Sequence, residues 1–332
     1  MIPLVRRFPA LAALPRASLC RFPTPVQRMD LLAPGLLFKR EDLVADPLGG
    51  NKVRALEFLL GGVGSGDRVV TVGAAGSTHA LATEVYARRL GASPLVFRWR
   101  QEMNDAARRV SDRIGTETNG SPVQRTLVGA YARALVARLR GARWIPAGGS
   151  TPLGVLGQVN AGLELAAQVS EGSLPRPDRI VVPLGTGGTA AGLALGLALA
   201  NIEITVVGVR VVSRIVANAA HVRRLVARTS RLIERLTGES IARPTPHSVR
   251  IVHDYFGGAY GRATAAGRAV AARCLDRTGI VIDPTYGAKA LAAAVAMGER
   301  EGGTTLFWLS FDGRWLRAVE STGAPSGRVA LT

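Results

Sequence analysis

Arg179-Ile180-Val181-Val182-Pro183-Leu184-Gly185-Thr186-Gly187-Gly188-Thr189, running on into Ala190-Ala191-Gly192-Leu193-Ala194-Leu195, decides the fold class. The apolar run Arg179–Leu184 is too short for a helix and does not alternate, so it predicts a strand buried on both faces. A Gly/Thr-rich turn follows, then an Ala/Leu helix over 190–200. A strand passed through a glycine turn to a helix is the repeating unit of parallel α/β sheets. Such a turn also aims successive backbone N–H groups at one point beside a helix N-terminus, where an anion is stabilised. Gly185, Thr186, Gly187, Gly188 and Thr189 are therefore candidate phosphate-binding residues. Read through Ala190, the same residues fit a Gly-x-Gly-x-x-Ala dinucleotide turn, with Arg210 placed to accept a 2′-phosphate. A nicotinamide-dependent oxidoreductase is thus an alternative, and a turn with no ligand is the plainest one.

The strand–turn–helix pattern recurs outward from this stretch. Val69–Val72 reads as a strand, followed by a Gly-rich turn and a helix from Thr78 to Leu90. Further strands are expected at Pro94–Phe97, Ile204–Val212 and Thr305–Leu309, and a surface loop at 115–123. The chain has 332 residues, more than one core usually serves, so two domains are expected. Each should hold an open, twisted, mostly parallel sheet flanked by helices. Ile180–Ile202 carries no charge and is long enough to span a bilayer, but Pro183 and the Gly/Thr turn break it. No membrane span is expected.

The net charge of +18 invites a nucleic-acid partner. The charge is almost all arginine, spread along helices, with no nucleic-acid motif beside it. Its densest part, Arg223–Arg235, reads as the solvated face of a helix that turns Leu225, Val226, Leu232 and Ile233 inward. Nucleic acid is therefore not an expected partner. Residues 1–29 contain no acid but also no long apolar core, so secretion is not expected. Cys20 and Cys274 show no metal-ligand spacing and fit a reducing, cytoplasmic compartment; no metal is expected.

Lysine is rare: Lys39, Lys52 and Lys289 are the three in the chain. Arginine stays protonated and cannot replace an amine nucleophile, so each lysine is a candidate for amine chemistry. Gly49-Gly50-Asn51-Lys52 precedes an amphipathic helix with Val53, Leu56, Leu59 and Leu60 on one side. The positive end of a helix dipole, like burial, favours the neutral amine that a Schiff base requires. Gly76-Ser77-Thr78-His79 forms a second strand-to-helix turn, suited to a carboxylate, although Ser77 is equally an ordinary N-cap. Tyr286, in the loop Asp283-Pro284-Thr285-Tyr286-Gly287, is placed to reach into a cleft.

Together these motifs resemble one family. Pro23-Thr24-Pro25, Lys39-Arg40-Glu41-Asp42-Leu43, Gly49-Gly50-Asn51-Lys52, Gly148-Gly149-Ser150-Thr151-Pro152-Leu153-Gly154, the Gly185 turn and Asp283–Lys289 are similar, in order, to segments of the D-cysteine desulfhydrase and 1-aminocyclopropane-1-carboxylate (ACC) deaminase family. The resemblance covers nearly the whole chain. It implies a tryptophan-synthase-β-like fold, with a small domain of residues 46–150 and a large one of residues 1–45 and 151–332, assembled as a homodimer. It implies a pyridoxal 5′-phosphate (PLP) enzyme, a lyase or deaminase acting on a small amino acid by α-carbanion formation and β-elimination. Lys52 would carry the cofactor and move the α-proton. Asn51, Thr78, the 185–189 turn and Ser310 would bind the cofactor, and Ser77, Thr78, His79 and Tyr286 the substrate, with Ser77 and Tyr286 also catalytic. Three positions depart from the family. Thr78 stands where an Asn is usual, Gly287 where ACC deaminases have a Glu, and Phe311-Asp312 where a glycine pair is usual. The last change is expected to narrow the pocket or repel an acidic substrate. A member of the family that has lost catalysis is the remaining alternative.

Overall fold

The computed structural model of the chain describes residues 1–114 and 122–317, so residues 115–121 of the expected loop lie outside the described residues. The strands are β1 (Val26–Arg28), β2 (Leu36–Lys39), β3 (Arg68–Ala74), β4 (Ser93–Trp99), β5 (Arg143–Ile145), β6 (Arg179–Leu184), β7 (Thr205–Arg210), β8 (Val249–Val252) and β9 (Thr305–Trp308). The α-helices are α1 (Pro3–Arg7), α2 (Asn51–Leu59), α3 (Thr78–Arg89), α4 (Asp105–Arg113), α5 (Leu127–Leu139), α6 (Pro152–Ser170), α7 (Gly188–Leu199), α8 (Ala219–Thr237), α9 (Ala265–Thr278) and α10 (Gly287–Glu301). One sheet has the order β1-β2-β9-β6-β7-β8 and the other β4-β3-β5. Every pairing is parallel except β1 with β2.

β6 lies inside the larger sheet, with Ile180 opposite Val206 on one side and Leu306 on the other. Its even-numbered residues Ile180, Val182 and Leu184 pack with α6, α7 and α8, while Val181 joins Val207 and Phe307 against α9 and α10. The smaller sheet is covered in the same way: Val69 and Val96 pack with Leu56 of α2 and Leu81 of α3, and Val70 and Val72 with Ala134 and Ala137 of α5. Helices on both faces explain why these runs are apolar throughout. Ile180–Ile202 folds as strand, turn and helix, and no described helix is long and apolar enough to cross a membrane. On α8, Arg223, Arg224, Arg228, Arg231 and Arg235 are exposed, whereas Val222, Leu225, Val226 and Ile233 are buried. Both cysteines are free thiols.

A buried ionic cluster ties β2 and α6 to α2. Arg54, two residues after Lys52, donates from Nε and Nη2 to the Glu41 carboxylate, both at 2.6 Å, and from Nη1 to Glu164 at 2.9 Å. Lys39 donates to Glu164 at 2.7 Å, to the Thr24 carbonyl at 2.8 Å and to Gln168 at 2.6 Å. Lys39, Glu41 and Arg54 are fully buried. Burial alone would raise the Glu164 pKa, but Arg54 and Lys39 bring it down to about 2. Its contribution to stability is therefore present above the ordinary carboxyl pKa and is lost as the pH falls toward 2. The Lys39–Leu43 and Pro23–Pro25 motifs are thus largely scaffold: their charged and hydroxyl groups hold α2 in place.

Candidate active site

The carboxyl ends of both sheets open onto a cleft of about 490 Å³. Ligands of open α/β sheets bind at such edges. The cleft brings together Asn51, Lys52, Ser77, Thr78, His79, Gly185, Thr186, Tyr286 and Ser310. Gly188 and Thr189 line a small adjoining recess that Lys52 shares. Gly187 lies behind the turn as the N-cap of α7, at φ 81°, with Val222 behind it.

Lys52 is the second residue of α2. Gly50, the N-cap, is at φ 123°, and a Cβ there would come within 2.7 Å of the Ser310 carbonyl. Glycine is required for the chain to turn into α2 so close to β9. The Asn51 N–H then donates to that carbonyl at 3.0 Å, and Asn51 Nδ2 donates to Thr189 Oγ1 at 2.7 Å. Lys52 Nζ makes one long contact, 3.4 Å, to the Gly148 carbonyl. Burial brings its pKa down to about 8. At pH 7 roughly one amine in ten is then neutral, against about one in three thousand for an unperturbed lysine. Lys289 is also brought to about 8 by burial, but its Nζ donates to the Phe256 carbonyl at 2.7 Å and lies away from the cleft. Lys39 is held by Glu164. Geometry, not basicity, singles out Lys52.

The 185–188 turn fits a phosphate. A Cβ on Gly185 would meet nothing within 4 Å, so the backbone there borders open space. Ser150 Oγ and Thr186 Oγ1, 2.6 Å apart, stand beside the turn, and the first N–H groups of α7 are free of helical partners. In Gly185→Val the apoprotein should keep its melting temperature. The added side chain fills that open space, and PLP affinity, measured by titrating the apoprotein, should fall at least about tenfold. Unchanged affinity would mean that the turn holds something else.

Ser77 caps α3, its Oγ accepting the Ala80 N–H at 3.3 Å. The Ser77 N–H is bonded to Ala74. The N–H groups of Thr78 and His79, in the first helical turn, are left to receive a carboxylate. His79 is buried, with Nε2 3.2 Å from Thr71 Oγ1 and no partner at Nδ1. Burial, and then the Lys52 charge, push its pKa down to about 3, so its ring is neutral.

Tyr286 is hydrogen-bonded through its hydroxyl to Tyr260, which also lines the cleft. Burial raises both phenols, Tyr260 to about 12, so both stay protonated. Tyr286 also has the Thr78 hydroxyl beside it, so the pair joins the start of α3. Tyr260 escaped the sequence reading, although Gly257, Gly258 and Gly261 flank it much as Gly287 follows Tyr286. So did Asn104, the N-cap of α4. Its Nδ2 donates to the Gly261 carbonyl at 2.6 Å and to Thr285 Oγ1 at 2.9 Å, holding the loops that carry both tyrosines.

Of the two bulky residues after Ser310, Phe311 does line the cleft. Asp312 does not repel a substrate there. Its carboxylate is buried and engaged by Arg314, by the Arg314 N–H and by the Gly49 N–H, and it is absent from the lining. Arg210 is likewise engaged. Its Nε donates to His253 at 3.0 Å, its Nη1 to the Val212 carbonyl, and it lies over the Phe256 ring, so a 2′-phosphate would have to displace these contacts.

A half-buried lysine whose pKa is lowered to about 8, a glycine turn open to an anion and a helix start with unpaired N–H groups meet around one cleft, the parts needed to hold a phosphorylated aldehyde cofactor and process an amino acid on it. The chain belongs to the pyridoxal-phosphate-dependent enzyme family, whose pattern matches residues 17–310. It is 36% identical over 315 residues to a nocardicin C-9′ epimerase of Nocardia uniformis, covering 90% of this chain and 93% of that protein. It is 30% identical over 302 residues to a D-cysteine desulfhydrase of Salmonella choleraesuis, covering 86% and 89%. Among solved structures it is similar to an ACC deaminase homologue, at TM-score 0.75 and 30% identity, covering 92% and 94%. PLP is the cofactor of this family, and the residues around the cleft fit it; a nicotinamide dinucleotide has no support in these similarities.

Proposed function

We propose that the protein is a PLP-dependent lyase or deaminase, D-cysteine desulfhydrase-like, that removes the α-proton of an amino acid and expels its β-substituent. The observation that carries this is Lys52: a desolvated amine with no carboxylate partner, sharing a cleft with the Ser77 turn and the tyrosine pair. Bound there, PLP supplies an aldehyde for the substrate's amino group and a ring that takes up the electron pair left at Cα. The N–H groups of Thr78 and His79, with Ser77 Oγ beside them, bind the carboxylate and fix Cα near Lys52. Lys52 Nζ takes the α-proton. A hydroxyl of the Tyr260–Tyr286 pair donates to the departing group. The Cα–H and Cβ–X bonds break, X leaves with the bonding pair and a proton, and water converts the remaining enamine to an α-keto acid and ammonium.

Ser310, which lines the cleft, would face the cofactor's ring nitrogen by family likeness; its hydroxyl, unlike a carboxylate, would hold no proton there, and the cofactor would supply a weaker electron sink. Gly287 adds no acid after Tyr286. β-Chloroalanine or cysteine, as the D-isomer by family likeness, should therefore react faster than ACC, which needs a ring opened. Measuring α-keto-acid release from D-cysteine, L-cysteine, D-serine, β-chloroalanine and ACC side by side checks this. Faster turnover of ACC, or α-proton exchange with no keto acid, would contradict it. The two sheets are proposed as the cores of two domains, 46–150 and 1–45 with 151–332. A cytoplasmic homodimer is the assembly the family likeness supports, and two free thiols are consistent with a reducing compartment.

A further inference from the structure

Once the cofactor, carboxylate and proton-moving roles are assigned, the rest of the cleft lining includes Trp99, Leu127, Tyr131, Val212, Val216 and Phe311. The chain has 42 lysines and arginines, yet Lys52 is the one that reaches this lining among the described residues, and no carboxylate does. Besides Lys52, the side chains there that a charged substrate group could meet are the histidines His79 and His221. Trp99 ends β4, directly opposite Ala74 at the end of β3, three residues before Ser77. Tyr131 stacks on Trp99 with ring centroids 6.1 Å apart. Leu127, 49% exposed, and Tyr131, 36%, stand on α5, and Val216, 37%, follows β7; all three line this cleft, and Leu127 and Tyr131 also border a neighbouring hollow with Val128 and Leu135. Contiguous exposed apolar surface of this kind marks a binding site, and neither cysteine nor ACC would cover it.

We propose that the substrate's β-substituent is large and apolar, an aryl or branched alkyl group, and that it lies against Trp99, Leu127, Tyr131 and Val216. The proposal deepens the lyase reading and rests on it for the reaction, but not for binding. An S-benzylcysteine would lose its α-proton to Lys52, break its Cβ–S bond to release phenylmethanethiol, and leave pyruvate and ammonium after addition of water.

The test uses the PLP-loaded protein. Phenylalanine and alanine, each as both enantiomers, lack a β-leaving group, so their binding can be titrated through the cofactor's visible absorption. The better phenylalanine enantiomer should bind roughly 10- to 100-fold more tightly than the better alanine enantiomer. In Leu127→Ser that preference should shrink about threefold. Equal binding, or a preference untouched in both Leu127→Ser and Tyr131→Ala, would overturn the proposal. S-Benzylcysteine should then release pyruvate with a higher kcat/KM than cysteine. Tight phenylalanine binding with no keto acid from either substrate would uphold the side-chain assignment while removing the lyase reading.

Discussion

In Lys52→Ala, reconstituted with PLP, α-keto-acid release should fall by at least about 10³-fold, because the amine proposed to move the α-proton is gone. The side chain contributes little to folding: its one contact is the 3.4 Å approach to Gly148, and it stands outside the Arg54–Glu164 cluster. Lys289→Met is the matched control, since burial also lowers Lys289 to about 8 but it lies away from the cleft. It should retain turnover. A comparable loss in both variants, or turnover preserved in Lys52→Ala, would contradict the assignment.

Arg54→Met should lower stability by about 3–5 kcal/mol, because it strands Glu41 and Glu164 in a buried site with Lys39 as the remaining cation. Chemical denaturation of the apoprotein measures it. A loss below about 1 kcal/mol would mean that the cluster is not what holds α2. Lys52 lies two residues from Arg54 on that helix, so the variant should also loosen the cleft and weaken PLP binding.

The buried central strands were legible because burial on both faces leaves apolar runs with sharp glycine ends, as at Arg179–Leu184. β1, β2, β5 and β8 were not foreseen. They are three or four residues long, and tertiary pairing rather than local pattern selects them, as where Leu36–Lys39 joins β9. The site motifs were legible where a backbone device must precede a helix: Gly50 before Lys52, Ser77 before α3, the 185–188 turn before α7. Tyr260 and Asn104 were not, since their roles come from meeting Tyr286 and Gly261 across long stretches of chain. The Lys39–Leu43 motif was read correctly as a family mark, but its physical purpose, two charges buried against Arg54 and Glu164, shows only in three dimensions. The consequence expected of Asp312 failed because Arg314, two residues on, takes its carboxylate.

Of the three lysines, Lys52 is the one proposed to bear the cofactor. Reduction of the PLP-loaded protein with borohydride, proteolysis and mass mapping of the pyridoxyl label tests it directly. The label should sit on the peptide containing Lys52, and the protein's visible absorption band should vanish on reduction. A label on Lys39 or Lys289, or a protein that takes up no PLP, would contradict it.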